Sequence, residues 1–80
     1  MIQENYLEWL FNWFNKRTSL KEKAFDSNFF VEGWINSFEI LELITEMEST
    51  FNIHFDDAVF NDPRFSTMRG LAEIMVELKN

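Results

Sequence analysis

Apolar residues recur at three- and four-residue steps in three stretches of the chain, and each stretch reads as an amphipathic helix. The first runs from Ile2 to about Asn15, with Ile2, Tyr6, Trp9, Leu10 and Trp13 on one face and Glu4, Glu8 and Asn12 on the other. Leu7, Phe11 and Phe14 flank that stripe, so the apolar arc is wider than a surface helix requires. Either the loop that follows covers this flank, or a second copy or a partner does. The second helix runs from Ser37 to about Phe51, with Ile40, Leu43, Ile44, Met47 and Phe51 facing inward. The last begins at a Ser66 or Thr67 cap and reaches about Leu78, burying Met68, Leu71, Ala72, Met75 and Leu78.

The segments between them carry their own signals. Lys16 to Ile35 has no sustained period but holds Leu20, Phe25, Phe29, Phe30, Val31 and Trp34, which predicts a long ordered loop packed on the bundle rather than a free linker. A helical turn is expected within Ser19 to Ala24, and Gly33 supplies backbone freedom just ahead of the second helix. Asn52 to Phe55 is a connector. Asp56 can cap a short helix over Asp57 to Asn61, which Pro63 ends. Gly70, early in the last helix, suggests that a neighbour approaches closely. The expected fold is all-α: a small bundle of three main helices plus one short helix, in a single domain over residues 1–80.

Composition narrows the function classes. With 46% apolar and 18% aromatic residues, 80 residues can bury a core without staples. The chain has no cysteine, so disulfides and thiolate zinc sites are excluded and any thiol would have to be attached. No apolar run approaches the roughly 20 residues that span a bilayer, and the first residues lack the pattern of a signal peptide, so a soluble, untargeted chain is expected. The further expectation is a cytoplasmic location and a monomer. The net charge of −7 is unevenly placed. Between Phe25 and Pro63 there is no Lys or Arg, while Asp26, Glu32, Glu39, Glu42, Glu46, Glu48, Asp56, Asp57 and Asp62 are acidic; Lys16, Arg17, Lys21 and Lys23 precede this stretch, and Arg64 and Arg69 follow it. That polarity disfavours nucleic acid, which needs a basic footprint, and suits either a merely solvated face or partners with basic patches.

Candidate chemistry centres on Gly33 to Leu43. Asn36 is a good N-cap residue and Glu39 lies three positions on, a capping-box pattern that would start the second helix at Ser37. A group esterified to the Ser37 hydroxyl would sit at the positive end of the helix dipole, beside unpaired backbone N–H groups, which suits a phosphate. Glu39, Glu42 and Glu46 share another face; at steps of three and four they repel one another, so helix stability alone does not explain them.

Asn36-Ser37-Phe38, preceded by Gly33 and followed by Ile40-Leu41-Glu42-Leu43, resembles the attachment motif of acyl carrier proteins. In that family the motif is usually Asp-Ser-Leu and the serine carries 4′-phosphopantetheine. The likeness continues through Met47, Phe51 and Ile53 to Phe65-Ser66-Thr67-Met68 and Leu71-Ala72, while residues 1–24 match only as a helix of the right length. The Gly-x-Ile-x-Ser-Phe form is similar to stand-alone carriers, including D-alanyl and other aminoacyl carriers. The resemblance implies a long loop between the first two helices, 4′-phosphopantetheine on Ser37, and an acyl or aminoacyl thioester presented to enzymes of fatty-acid, polyketide or other specialised biosynthesis. It implies two kinds of partner: a phosphopantetheinyl transferase, and loading and transfer enzymes whose basic patches dock on Glu39, Glu42 and Glu46, with Phe38 and Leu41 adding apolar contact. Asn36 departs from the pattern, because the usual aspartate helps the transferase's metal site engage the serine.

Two other readings stand beside this one. A carrier-like adaptor without any cofactor would bind partners through the same acidic helix. A catalytic serine would need a base in hydrogen-bond reach, and His54, the one histidine, lies beyond the far end of the second helix, so no enzyme is expected. Asp56, Asp57 and Asp62 lack the spacing of a calcium loop, and two glycines do not make a phosphate-binding loop.

Overall fold

The computed structural model describes residues 2–20, 22 and 24–79, with Ile2 described for its backbone alone. The fold is all-α: α1 (Ile2–Thr18), α2 (Glu39–Phe51) and α3 (Met68–Lys79), with two 3-10 turns, Asp57–Asn61 and Pro63–Ser66, between α2 and α3. They form a small bundle with a Cα radius of gyration of 11.6 Å. No helix among the described residues is long and apolar enough to cross a membrane.

α1 continues one turn past the end expected near Asn15. It stops at Ser19, whose φ of 44° leaves the helical region. Lys16 and Arg17 in that last turn suit the negative end of the helix dipole. The buried stripe is Tyr6, Leu7, Leu10, Trp13 and Phe14. It is rotated towards the expected flank: Leu7 and Phe14 belong to the core, and Trp9 sits half-buried at the rim, edge-on to Phe51 with ring centroids 5.3 Å apart. The rotation follows from α1 packing against α3 on one side and under the long loop on the other. The inward place expected for the Ile2 side chain lies outside the described residues.

The long loop covers the flank of α1. Phe25 meets Phe11 edge-on at 6.2 Å, and Phe29, fully buried, stacks on Phe14 at 4.9 Å. The turn expected within Ser19 to Ala24 falls partly on Lys21 and Lys23, outside the described residues. A turn the sequence did not announce starts at Asn28, whose Oδ1 accepts from the N–H groups of Phe30 and Val31 at 3.0 and 3.1 Å. Trp34 N–H donates to Phe29 O and Gly33 N–H to Phe30 O, while Gly33 holds a φ of 76°. This is one helical turn closed by a Schellman motif, which needs a left-handed residue at Gly33. It reverses the chain and delivers Ile35 into the core, 4% exposed. Two further bonds tie the loop to the start of α3: Phe29 N–H donates to Ser66 O at 2.9 Å, and Arg69 N–H to Phe25 O at 3.0 Å.

α2 buries Ile40, Leu43, Ile44 and Met47 as its spacing predicts, with Phe51 half-buried against Tyr6 and Trp9. Asn52 ends it at a φ of 55°, and Lys79 Nζ donates to Phe51 O at 3.0 Å. The short helix after Asp56 is a 3-10 turn, capped by Asp56 through Ala58 N–H. Pro63 ends it and also begins the second 3-10 turn, capped by Asp62. Thr67 rather than Ser66 caps α3, accepting from Gly70 N–H at 2.9 Å. Ile74 takes the inward place expected for Leu78: both line a cleft with Phe55 and Val59, but Ile74 is buried in it and Leu78 lies at its open edge.

Candidate functional site

The turn before α2 follows from three residues. Asn36 Oδ1 accepts from the N–H groups of Phe38 and Glu39, both at 2.9 Å, and Glu39 Oε1 accepts from Asn36 N–H at 3.0 Å. Ile40 N–H donates to Asn36 O at 3.1 Å, the first α-type bond of the helix. These bonds are the expected capping box, but they close a turn over Ser37 and Phe38, and α2 itself starts at Glu39, two residues after the start expected at Ser37. Ser37 itself is exposed, and its hydroxyl has no hydrogen-bond partner among the described residues. The cap changes one expectation: the N–H groups of Phe38 and Glu39 are already satisfied, so an oxyanion on Ser37 would meet the helix dipole without two unpaired donors waiting for it.

Around this serine the surface is apolar on one side and acidic on the other. Phe38 is 82% exposed and Leu41 54%, both large apolar side chains left in water within one turn of Ser37. Leu41, Glu42, Thr45 and Glu46 line a shallow groove along α2. Phe38 and Leu41 therefore stand free, but the carboxylates do not. Arg17 Nη2 donates to Glu42 Oε2 at 2.9 Å, and Arg17 Nη1 lies 3.6 Å from Glu39 Oε2. Trp13 Nε1–H donates to Glu46 Oε2 at 2.6 Å. The Arg17 guanidinium lies over the Trp13 ring, 4.0 Å from its centroid. Trp13 and Arg17 are one turn apart on α1, so a single helix face meets all three glutamates.

Sequence reasoning missed Trp13 and Arg17 as members of this site. Their partners are 33 and 25 positions away, and no local pattern reports a contact of that range. The only usable signal was that three like charges on one helix face require an explanation from outside the helix.

Other chemistry is distant or structural. The His54 side chain is 85% exposed, with Nδ1 3.4 Å from Glu48 Oε2. It follows α2 whereas Ser37 precedes it, so about 20 Å of helix separates them, far beyond hydrogen-bond reach. Arg64 bridges Glu77 and Asp62, at 2.5 and 2.9 Å. Its hydrogen bonds hold both carboxyls below the usual carboxylate range, and Glu77 and Asp62 in turn keep the guanidinium more firmly protonated. Asp26 does the same for Arg69 through a 2.6 Å bond. These pairs fasten the 3-10 segment and the loop to α3. Compared with models of protein families, with curated proteins and with solved structures, the chain matches none.

Proposed function

We propose that the protein is a stand-alone acyl carrier, modified with 4′-phosphopantetheine on Ser37. The observation that carries this reading is the exposed, unengaged Ser37 hydroxyl in the side-chain-capped turn that leads into α2, flanked by exposed Phe38 and Leu41. A phosphodiester there fits: the hydroxyl faces solvent, the dipole of α2 favours the negative charge, and the capping box holds the turn in one conformation. The group would supply a thiol on a long arm, on which an acyl or aminoacyl unit travels as a thioester. The chain itself would catalyse nothing; it would hold the turn, offer Phe38 and Leu41 to apolar hollows on its partners, and raise the local concentration of its cargo at each of them. The partners would be a phosphopantetheinyl transferase and loading and transfer enzymes with basic patches, in fatty-acid, polyketide or other specialised biosynthesis. Short-lived complexes suit this role, because a carrier has to leave each enzyme.

The test is the intact mass after incubation with coenzyme A, magnesium and a broad-specificity phosphopantetheinyl transferase. The parent should gain one phosphopantetheine and Ser37→Ala none. If several transferases leave the parent unchanged, the cofactor-free adaptor becomes the better reading. One observation favours it: Asn36 stands where carriers usually have aspartate, and its side-chain oxygen is already committed to the cap.

A further inference from the structure

We propose that Arg17 is a built-in counter-ion for the docking face of α2, which a partner's cations must displace before they can use Glu39 and Glu42. The inference rests on the carrier reading for its purpose, and on four contacts for its substance. No Lys or Arg lies between Phe25 and Pro63, so the acidic stretch holds no cation of its own. Arg17 arrives from α1, and only because that helix runs to Thr18, a turn beyond its last apolar residue at Phe14. Its two terminal nitrogens divide between Glu39 and Glu42, and its plane rests on Trp13, which is anchored by its own bond to Glu46.

Arg17 is suited to be exchanged. Its side chain is 33% exposed and that of Glu42 is 60%, so water and incoming cations reach the pair. Exposed ion pairs of this kind are weak and screened by salt. Stacking on Trp13 gives the guanidinium a second resting place, so releasing the carboxylates does not require abandoning the indole. The latch therefore acts as a filter. A surface with one lysine gains nothing over the arginine already present, whereas a patch with two or more cations displaces it and gains Glu46 as well. Glu39 keeps its cap to Asn36 throughout, through its other oxygen, so the turn at Ser37 is held while its flank is exchanged.

The experiment has two arms. In the first, the apo chain, Arg17→Gln and Arg17→Lys are compared as substrates of the transferase at low and high salt. Arg17→Gln should lower KM for the carrier about two- to tenfold at low salt with kcat unchanged. The advantage should vanish at high salt, and Arg17→Lys should stay near the parent. A KM for Arg17→Gln equal to or above that of the parent would overturn the latch, provided the parent is loaded. If nothing is loaded, the carrier reading fails and the second arm decides the latch. Tetralysine is titrated into each protein while the amide shifts of residues 39–46 are followed by NMR. The Arg17→Gln protein should bind it about two- to tenfold more tightly than the parent, and equal affinities would overturn the proposal.

Discussion

Gly70 stands against the backbone of Arg64: a Cβ at position 70 would lie 2.0 Å from the Arg64 carbonyl oxygen and 2.8 Å from its Cα. The obstacle is the backbone of the second 3-10 turn, which Asp62, Pro63 and the Arg64 ion pairs hold in place. Gly70→Ala gains about 1 kcal/mol of helix propensity but forces α3 away from that turn. Overpacking against backbone at 2.0 Å belongs at the upper end of the usual cost of about 1–3 kcal/mol, so the net expectation is a loss of roughly 2 kcal/mol, read as a lower urea midpoint with little change in slope. A midpoint at or above the parent's would show that the two backbones can part without loss.

Gly33 has the opposite constraint. Nothing lies within 4 Å of its would-be Cβ, but its φ is 76°. Gly33→Ala should therefore destabilise by about 1–2 kcal/mol through backbone strain alone, and Gly33→Asn, which tolerates that conformation, by less. The comparison of the two in urea melts is the check; equal losses would mean that space, not φ, sets the requirement.

Asn36 serves the helix whatever else it serves. Asn36→Ala removes both bonds to the N–H groups of Phe38 and Glu39 and should lower stability by about 0.5–2 kcal/mol. Asn36→Asp keeps the acceptor and should leave the thermal midpoint near the parent's. Thermal melts of the three proteins test this. If Asn36→Asp melted as low as Asn36→Ala, the cap would depend on the amide and not on the oxygen shared by both residues.

The Arg64 cluster predicts a pH dependence. Asp62 and Glu77 have lowered pKa values in the folded state, so they bind protons less readily there than in the unfolded chain. Their contribution is complete above the ordinary carboxylate range of about 4 and is lost as pH falls through the folded-state values. Arg64→Gln removes the cause, so its urea midpoint should lie below the parent's at about pH 7, with the gap narrowing as pH falls below about 4. A gap that stays constant with pH would rule out these pairs as its source.

The sequence made the inward face of α2 legible, and that of α3 apart from the exchange of Leu78 for Ile74, because each carries a three-four period, and it made the Asn36 cap legible because capping is a local code. Three other things escaped it. The end of α1 is set by the backbone at Ser19 and not by composition, so Lys16 to Thr18 read as loop. Phe29-Phe30-Val31 has no period, and only Asn28 before it and Gly33 after it mark the turn they form. The contacts of Trp13 and Arg17 with α2 are decided by the packing of the bundle, which no neighbouring residue reports. The general lesson is that local codes survive in the sequence, whereas the pairing of charges between helices is settled only by tertiary geometry.

The bonds from Phe29 to Ser66 and from Arg69 to Phe25 have a consequence for timing. The turn that aims Ser37 is buttressed by residues made some thirty to forty positions later. On a ribosome that adds about 5–20 residues per second, a nascent chain already displaying Ser37 still lacks the carbonyl and amide that fix the approach to it. The loop that leads to Ser37 is therefore fastened only once residues 66 to 69 are in place beside it.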